Sequence, residues 1–112
     1  MRELKFRAWD TYYYQMVYQD DILTNGKILE RYDIIMQYTG LKDKNEKEIY
    51  EGDILQDECA GELLKFEVVW EDKKGRFNRK NIPYMAGGLS SGEGVEIIGN
   101  IFENPDLLEG EK

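Results

Sequence analysis

The chain has 112 residues, a formal net charge of −8 and no histidine. That length suits one domain with one modest core, and an apolar share of 41% argues against disorder throughout. The excess of acid disfavours non-specific binding to nucleic-acid phosphates, which needs clustered Lys and Arg, and no run approaches the ~18–20 apolar residues of a membrane-spanning helix.

Met1–Arg7 lacks a basic-then-apolar leader pattern, so a cytoplasmic location is expected. Glu3 to Ala8 alternates polar and apolar, which predicts a half-buried strand with Leu4, Phe6 and Ala8 on the core face. Trp9 falls on the other face or at the strand end. Asp10-Thr11 begins a turn, and Gln15-Met16-Val17-Tyr18 reads as the returning strand. Tyr12, Tyr13 and Tyr14 are consecutive. They suit a stacking platform for bases or a partner. Strand tyrosines that bury their rings and keep the hydroxyl wet are commoner, and that reading is preferred. Asp20-Asp21 mark a boundary. Ile22-Leu23, Asn25-Gly26 and Lys27-Ile28-Leu29 predict a hairpin, because Asn-Gly fits both positive-φ positions of a type I′ turn. Glu30 to Tyr38 is rich in strand formers, although periodicity leaves open a short helix over Ile28–Tyr32.

Met36 to Leu55 is the stretch where turn chemistry, alternation and charge agree. Thr39-Gly40 is expected to break the strand, with Leu41 as an apolar anchor after the break. Lys42 to Glu48 is solid polar surface with a turn at Asp43–Asn45. Ile49 resumes the alternation, Glu51-Gly52-Asp53 makes a second turn, and Ile54-Leu55 opens a new strand. An EF-hand calcium loop starting at Asp43 would need Gly and Glu where Glu48 and Ile54 stand, so that reading fails.

Gln56 to Glu62 reads as a polar loop pivoting on Gly61. It holds Cys59, the single cysteine, so no internal disulfide forms, which suits a reducing compartment. With no His to activate it, Cys59 reads as incidental. Leu64 to Trp70 alternates cleanly as a strand, Glu71 to Gly75 turns, and Arg76-Phe77 starts the return. Ile82-Pro83-Tyr84 is extended. Met85 to Gly94 reads as a long mobile loop; it lacks the Gly-Lys-Ser/Thr and adjoining helix of a phosphate loop. Val95 to Phe102 predicts a strand with a bulge at Gly99. Asn104-Pro105 predicts an N-cap and first helical position, with a short turn tucking Leu107 or Leu108 onto the core. The tail from Glu109 should fray.

Strand signals every 8–12 residues without a long amphipathic helix point to an all-β, mainly antiparallel fold. The expected form is a small SH3-like or OB-like barrel over about residues 49–102. Further N-terminal strands and a C-terminal helical turn would join it in a single domain spanning 1–112.

Four strings carry a family resemblance: Arg7-Ala8-Trp9-Asp10, Met36 to Lys44, Lys47 to Ile54, and Ile98 to Pro105. In these the chain resembles the YopX family of small phage and prophage proteins, over essentially its whole length, with residues 56–94 matching loosely. The family usually places Gly after Asn, where this chain has Glu46. The resemblance implies a mostly β fold and a phage or prophage origin, and no activity, since the family's function is uncharacterised.

Four functions are weighed. The preferred one is a non-enzymatic binding or assembly module, with an unknown protein partner or as a homo-oligomer, and without catalytic, metal or cofactor residues. The second is nucleic-acid or partner contact through the basic hairpin Lys73, Lys74, Arg76, Phe77, Arg79 and Lys80, with Trp70, Phe77 and Tyr84 stacking; net charge argues against it. The third is an acidic decoy of a host DNA-binding protein, using Glu51, Asp53, Asp57, Glu58 and Glu62 with the acidic C-terminus. An enzyme built on Asp57/Glu58 is disfavoured, because adjacent carboxylates do not straddle a cleft.

Overall fold

The computed structural model describes residues 4–24, 27–28, 32–59, 61–73, 75–80 and 94–109. In chain order the elements are β1 (Phe6–Asp10), β2 (Gln15–Tyr18), α1 (Gln19–Ile22), β3 (Leu23–Thr24), β4 (Lys27–Ile28) and β5 (Ile34–Lys42). Next come β6 (Glu48–Tyr50), β7 (Asp53–Cys59), β8 (Glu62–Glu71), β9 (Arg76–Lys80), β10 (Glu96–Asn100) and α2 (Asp106–Glu109). The fold is all-β and its strand pairs are antiparallel. One sheet has the order β2-β1-β5-β6, a second β10-β7-β8-β9, and β3-β4 form a two-stranded ribbon.

The barrel-like part is the second sheet, curled into a half-barrel. Its alternation follows the sequence through Val68, while Trp70, expected in the same row, is 38% exposed. Phe66 and Val68 of β8, Leu55 of β7 and Phe77 of β9 pack with Ile49 and Val95 into the larger core cluster. Burying side chains of this size contributes ~1.5–3 kcal/mol each. The N-terminal strands do not join that cluster. They form their own sheet around Ala8, Val17 and Ile22, with Phe6, Tyr32 and Ile35 against them.

Several expectations are corrected. Leu4, expected inside, is exposed, whereas Arg7, Ala8, Trp9 and Asp10 are all buried. β1 is an interior strand of its sheet, covered on both faces, so its polar positions are buried too. Thr39-Gly40 does not end β5. The strand runs on to Lys42 across a register shift between Tyr38 and Lys42, with Gly40 at φ +88°. The polar loop at 56–62 is mostly strand: Gln56 to Cys59 continue β7 and pair with β8 as far as Cys59↔Glu62. Ladder hydrogen bonds need no apolar side chain, so alternation could not reveal this extension. A helical turn, α1, stands where Asp20-Asp21 suggested only a boundary.

Other expectations hold. The turn after Glu71 returns at Arg76, and the bulge falls between Ile97 and Gly99. β3 and β4 pair as Thr24↔Lys27, although the Asn25-Gly26 turn itself lies outside the described residues. So do Lys74, Ile82-Pro83-Tyr84, most of the glycine-rich segment and the tail beyond Glu109. The Asn104 carbonyl accepts the Leu107 N–H, opening the C-terminal turn. Its side chain caps elsewhere, with Oδ1 accepting the Asn100 N–H at 3.2 Å. Leu107 lies over Gly99, where its methyl would stand 2.9 Å from an added Cβ.

Candidate functional site

Two turns tie the sheets together, and both are built on buried carboxylates. Asp43 Oδ1 accepts the N–H groups of Asn45 (2.8 Å) and Lys47 (2.9 Å), closing the β5–β6 turn. Its Oδ2 accepts the N–H of Ile97 from the other sheet at 3.0 Å. Burial alone would raise the Asp43 pKa. The hydrogen bonds from Ile97, Lys47 and Asn45, with the nearby Lys47 charge, outweigh it and hold the carboxyl below its ordinary value.

Asp53 is the second. Its Oδ2 accepts the Tyr50 N–H at 2.8 Å, and its Oδ1 meets Arg7 Nη2 of β1 at 2.9 Å, with both side chains almost wholly buried. Arg7 Nη2 also donates to the Glu51 carbonyl. The guanidinium lies over the Tyr50 ring at 4.7 Å, and Arg7 Nε has no oxygen partner. The guanidinium as a whole gains from the electron-rich ring face. Burial pushes the Asp53 carboxyl up, against the pull of Arg7. Burial, with Glu48 beside it, pushes the Tyr50 phenol up to about 12, so its proton stays on at physiological pH.

Beside this pair a cleft of about 380 Å³ opens between the sheets. Arg7, Tyr50 and Asp53 form part of its wall, Lys47 and Glu48 come from the β5–β6 turn, and Asn100, Glu103 and Asn104 come from the C-terminal turn. Its polar groups are largely engaged with one another. Asn100 Oδ1 accepts the N–H groups of Phe102 and Glu103, while Asn100 Nδ2 donates to Glu103 Oε1. Glu48 pairs with Lys5. The wall thus holds shape more than it presents reactive groups, and among the described residues no Ser, Cys or His lines it. Among the described residues no three His, Cys, Asp or Glu side chains converge as a metal site. No helix among them is long and apolar enough to cross a membrane.

The basic hairpin is less available than the sequence suggested. Phe77 is buried in the core at 4% exposure, so it is no stacking surface. It meets Trp70 edge-on, with centroids 4.9 Å apart. Arg76 pairs with Glu71 at 3.2 Å, and Arg79 pairs with Asp57 at 3.3 Å while lying over the Phe66 ring. Lys73 and Lys80 are exposed. These contacts arise from cross-strand register: Glu71 opposes Arg76, and Trp70 opposes Phe77. The acidic set is dispersed in the same way. Asp53 is buried against Arg7, Asp57 is paired with Arg79, and Glu51 Oε1 accepts the Gln37 N–H.

Sequence reasoning raised an aromatic platform at Tyr12–Tyr14 and preferred buried strand tyrosines; the rings are in fact exposed. Tyr12, Tyr13 and Tyr14 form the β1–β2 turn, 77%, 62% and 76% exposed. Asp10 Oδ1 holds the turn by accepting the N–H groups of Tyr12 (2.9 Å) and Tyr13 (3.2 Å). Tyr12 and Tyr13 meet edge to face at 4.7 Å. Tyr18, also exposed, continues the surface along β2 towards the cleft. The signal was present: strand alternation cannot bury three consecutive rings, and they come directly after the turn-forming Asp10-Thr11.

The family profile described as YopX protein matches residues 23–109 of the chain. Among solved structures the chain is similar to protein EF1440 from Enterococcus faecalis, with 33% sequence identity and a TM-score of 0.65. That match covers 96% of this chain and 99% of the other. No curated protein matches it.

Proposed function

The chain belongs to the YopX family, and on that premise we propose that it is a non-enzymatic binding or assembly module of a phage or prophage. It acts in the host cytoplasm and grips a protein partner through the aromatic face at β2. The observation that carries this reading is the Tyr12–Tyr14 turn, with three adjacent rings largely in solvent on a backbone pinned by Asp10. Tyrosine offers a large, stiff, amphipathic contact area at low entropic cost, and it is enriched where interfaces are strongest. The charged alternatives lack such a patch, since the Arg76, Arg79, Asp53 and Asp57 side chains are already bonded within the fold.

The test is affinity capture from infected host cells, comparing the wild-type protein with a Tyr12→Ser/Tyr13→Ser/Tyr14→Ser variant of equal folded content. Partner proteins should be recovered with the first and lost with the second. Removing interface rings at ~1–2 kcal/mol each weakens binding by roughly fivefold to thirtyfold per ring. Identical recovery of every captured protein by the two forms would remove the aromatic face from the proposal.

A further inference from the structure

We propose that β2 pairs edge to edge with β2 of a second copy, antiparallel about a two-fold axis at Val17, with both tyrosine turns closing over the joint. The proposal rests on the binding reading above and names the occupant of that face.

The four edges of the two main sheets provide the comparison. β6 is three residues long and carries Glu48. β9 carries Arg76, Arg79 and Lys80, and β10 has a bulge at Gly99 and carries Glu96. Short length, charge and bulges are the ordinary devices that stop strand edges from pairing with other chains. β2, Gln15-Met16-Val17-Tyr18, has no charge, no proline and an unbroken register against β1. Among the described residues no strand covers its outer side.

Self-pairing also fits the charges. Two copies at −8 each repel, so a stable contact must lie where acid does not face acid. With the axis at Val17, Met16 of one copy opposes Tyr18 of the other. None of the four paired residues, Gln15 to Tyr18, is charged, so acid does not face acid across the joint. The surface is adequate in size. Four paired residues alone bury little, but aromatic side chains bury ~150–250 Å² each. At 77%, 62%, 76% and 51% exposure, Tyr12, Tyr13, Tyr14 and Tyr18 offer roughly 400–650 Å², half or more of the ~800 Å² per partner of a standard interface.

Light scattering of the full chain at millimolar concentration should return twice its 13.2 kDa mass. A Met16→Lys/Tyr18→Lys variant sets like charges opposite each other across the axis and should be a folded monomer by circular dichroism. A Met16→Lys/Tyr18→Glu variant sets opposite charges there and should remain a dimer. If the first double variant does not fold, Tyr18→Lys alone, at an exposed position, should give the monomer. A monomeric wild type, a folded Lys/Lys variant that still dimerises, or loss of the dimer in both folded double variants each overturns the proposal. A monomeric wild type whose captured partner is lost with the tyrosines would leave the binding reading standing without the dimer. A dimer whose capture profile ignores the tyrosines would do the reverse.

Discussion

Glu46 occupies a left-handed backbone position, φ +65°, at the tip of the β5–β6 turn. Its N–H donates to the Asp43 carbonyl at 3.0 Å, so the tip is a tight turn ending in a left-handed residue, the geometry that glycine suits. A side chain there costs ~1–2 kcal/mol, partly offset because glycine loses more freedom on folding. Glu46→Gly should therefore stabilise the protein by up to about 1 kcal/mol, read as a raised urea midpoint with an unchanged slope. Asp43, three residues earlier, accepts three backbone N–H groups with its two oxygens. Asp43→Asn would turn an NH2 group towards one of those donors and should cost about 2–3 kcal/mol. Because the folded Asp43 pKa is depressed, its contribution is full above the ordinary value of 3.8 and is lost as pH falls through the folded value. The wild-type advantage over Asp43→Asn should thus shrink in acid, as measured by denaturation at a series of pH values. The turn at Asp43–Asn45 was legible in the sequence. The bond from Asp43 to Ile97 was not, because local turn chemistry says nothing about a strand that returns much later in the chain.

At the scale of elements, the turn between β6 and β7 is a close-packed joint. Gly52 sits at φ +86°, and a Cβ there would meet Met36 Sδ at 3.1 Å and Phe102 at 3.6 Å. Its N–H donates to the Val68 carbonyl, and its own carbonyl accepts the Ile101 N–H. Gly61, in the β7–β8 turn, has nearly the same φ of +84° but open space around it. The two glycines therefore separate backbone strain from packing. Gly61→Ala should cost about 1 kcal/mol through φ alone. Gly52→Ala should cost roughly 1–3 kcal/mol more, because the Met36 sulfur must yield. Paired denaturant curves measure the difference. The hairpins at Glu71–Arg76 and Lys42–Glu48 could be read from alternation and turn residues, because both signals are local. The β7 extension through Gln56–Cys59 and the α1 turn could not. The first is polar strand beyond the main core, and the second is a single turn, too short to show a period of 3.6.

For the whole molecule, the Arg7–Asp53 pair matters most, because it joins β1 of one sheet to β7 of the other. Alternation made Arg7 a solvent-facing residue, and Asp53 of the second sheet together with the Tyr50 ring covers it. Arg7→Met should cost about 3–5 kcal/mol by leaving Asp53 buried without its partner, whereas Arg7→Met with Asp53→Leu should recover much of that loss. The pH dependence runs opposite to that of Asp43. The folded Asp53 pKa is raised, so the stability tied to this group is greatest below 3.8 and falls as pH rises through the raised value. Removing Arg7 steepens that fall, so the Arg7→Met deficit should be smaller in acid than at neutral pH. Denaturation of wild type and variant across that range checks the sign. The all-β class was legible because it rests on many repeated local signals. The division into two sheets was not, since no local pattern records which strands a chain will bring side by side.

Trp9 of β1 stacks on Phe102, just past β10, with ring centroids 5.5 Å apart and planes 16° from parallel. A nascent chain leaving the ribosome therefore carries its first strand long before the ring that covers it exists. Until Phe102 emerges, the indole and the β1 strand beneath it stay open to chaperones, and native closure over β1 waits on the turn that follows β10.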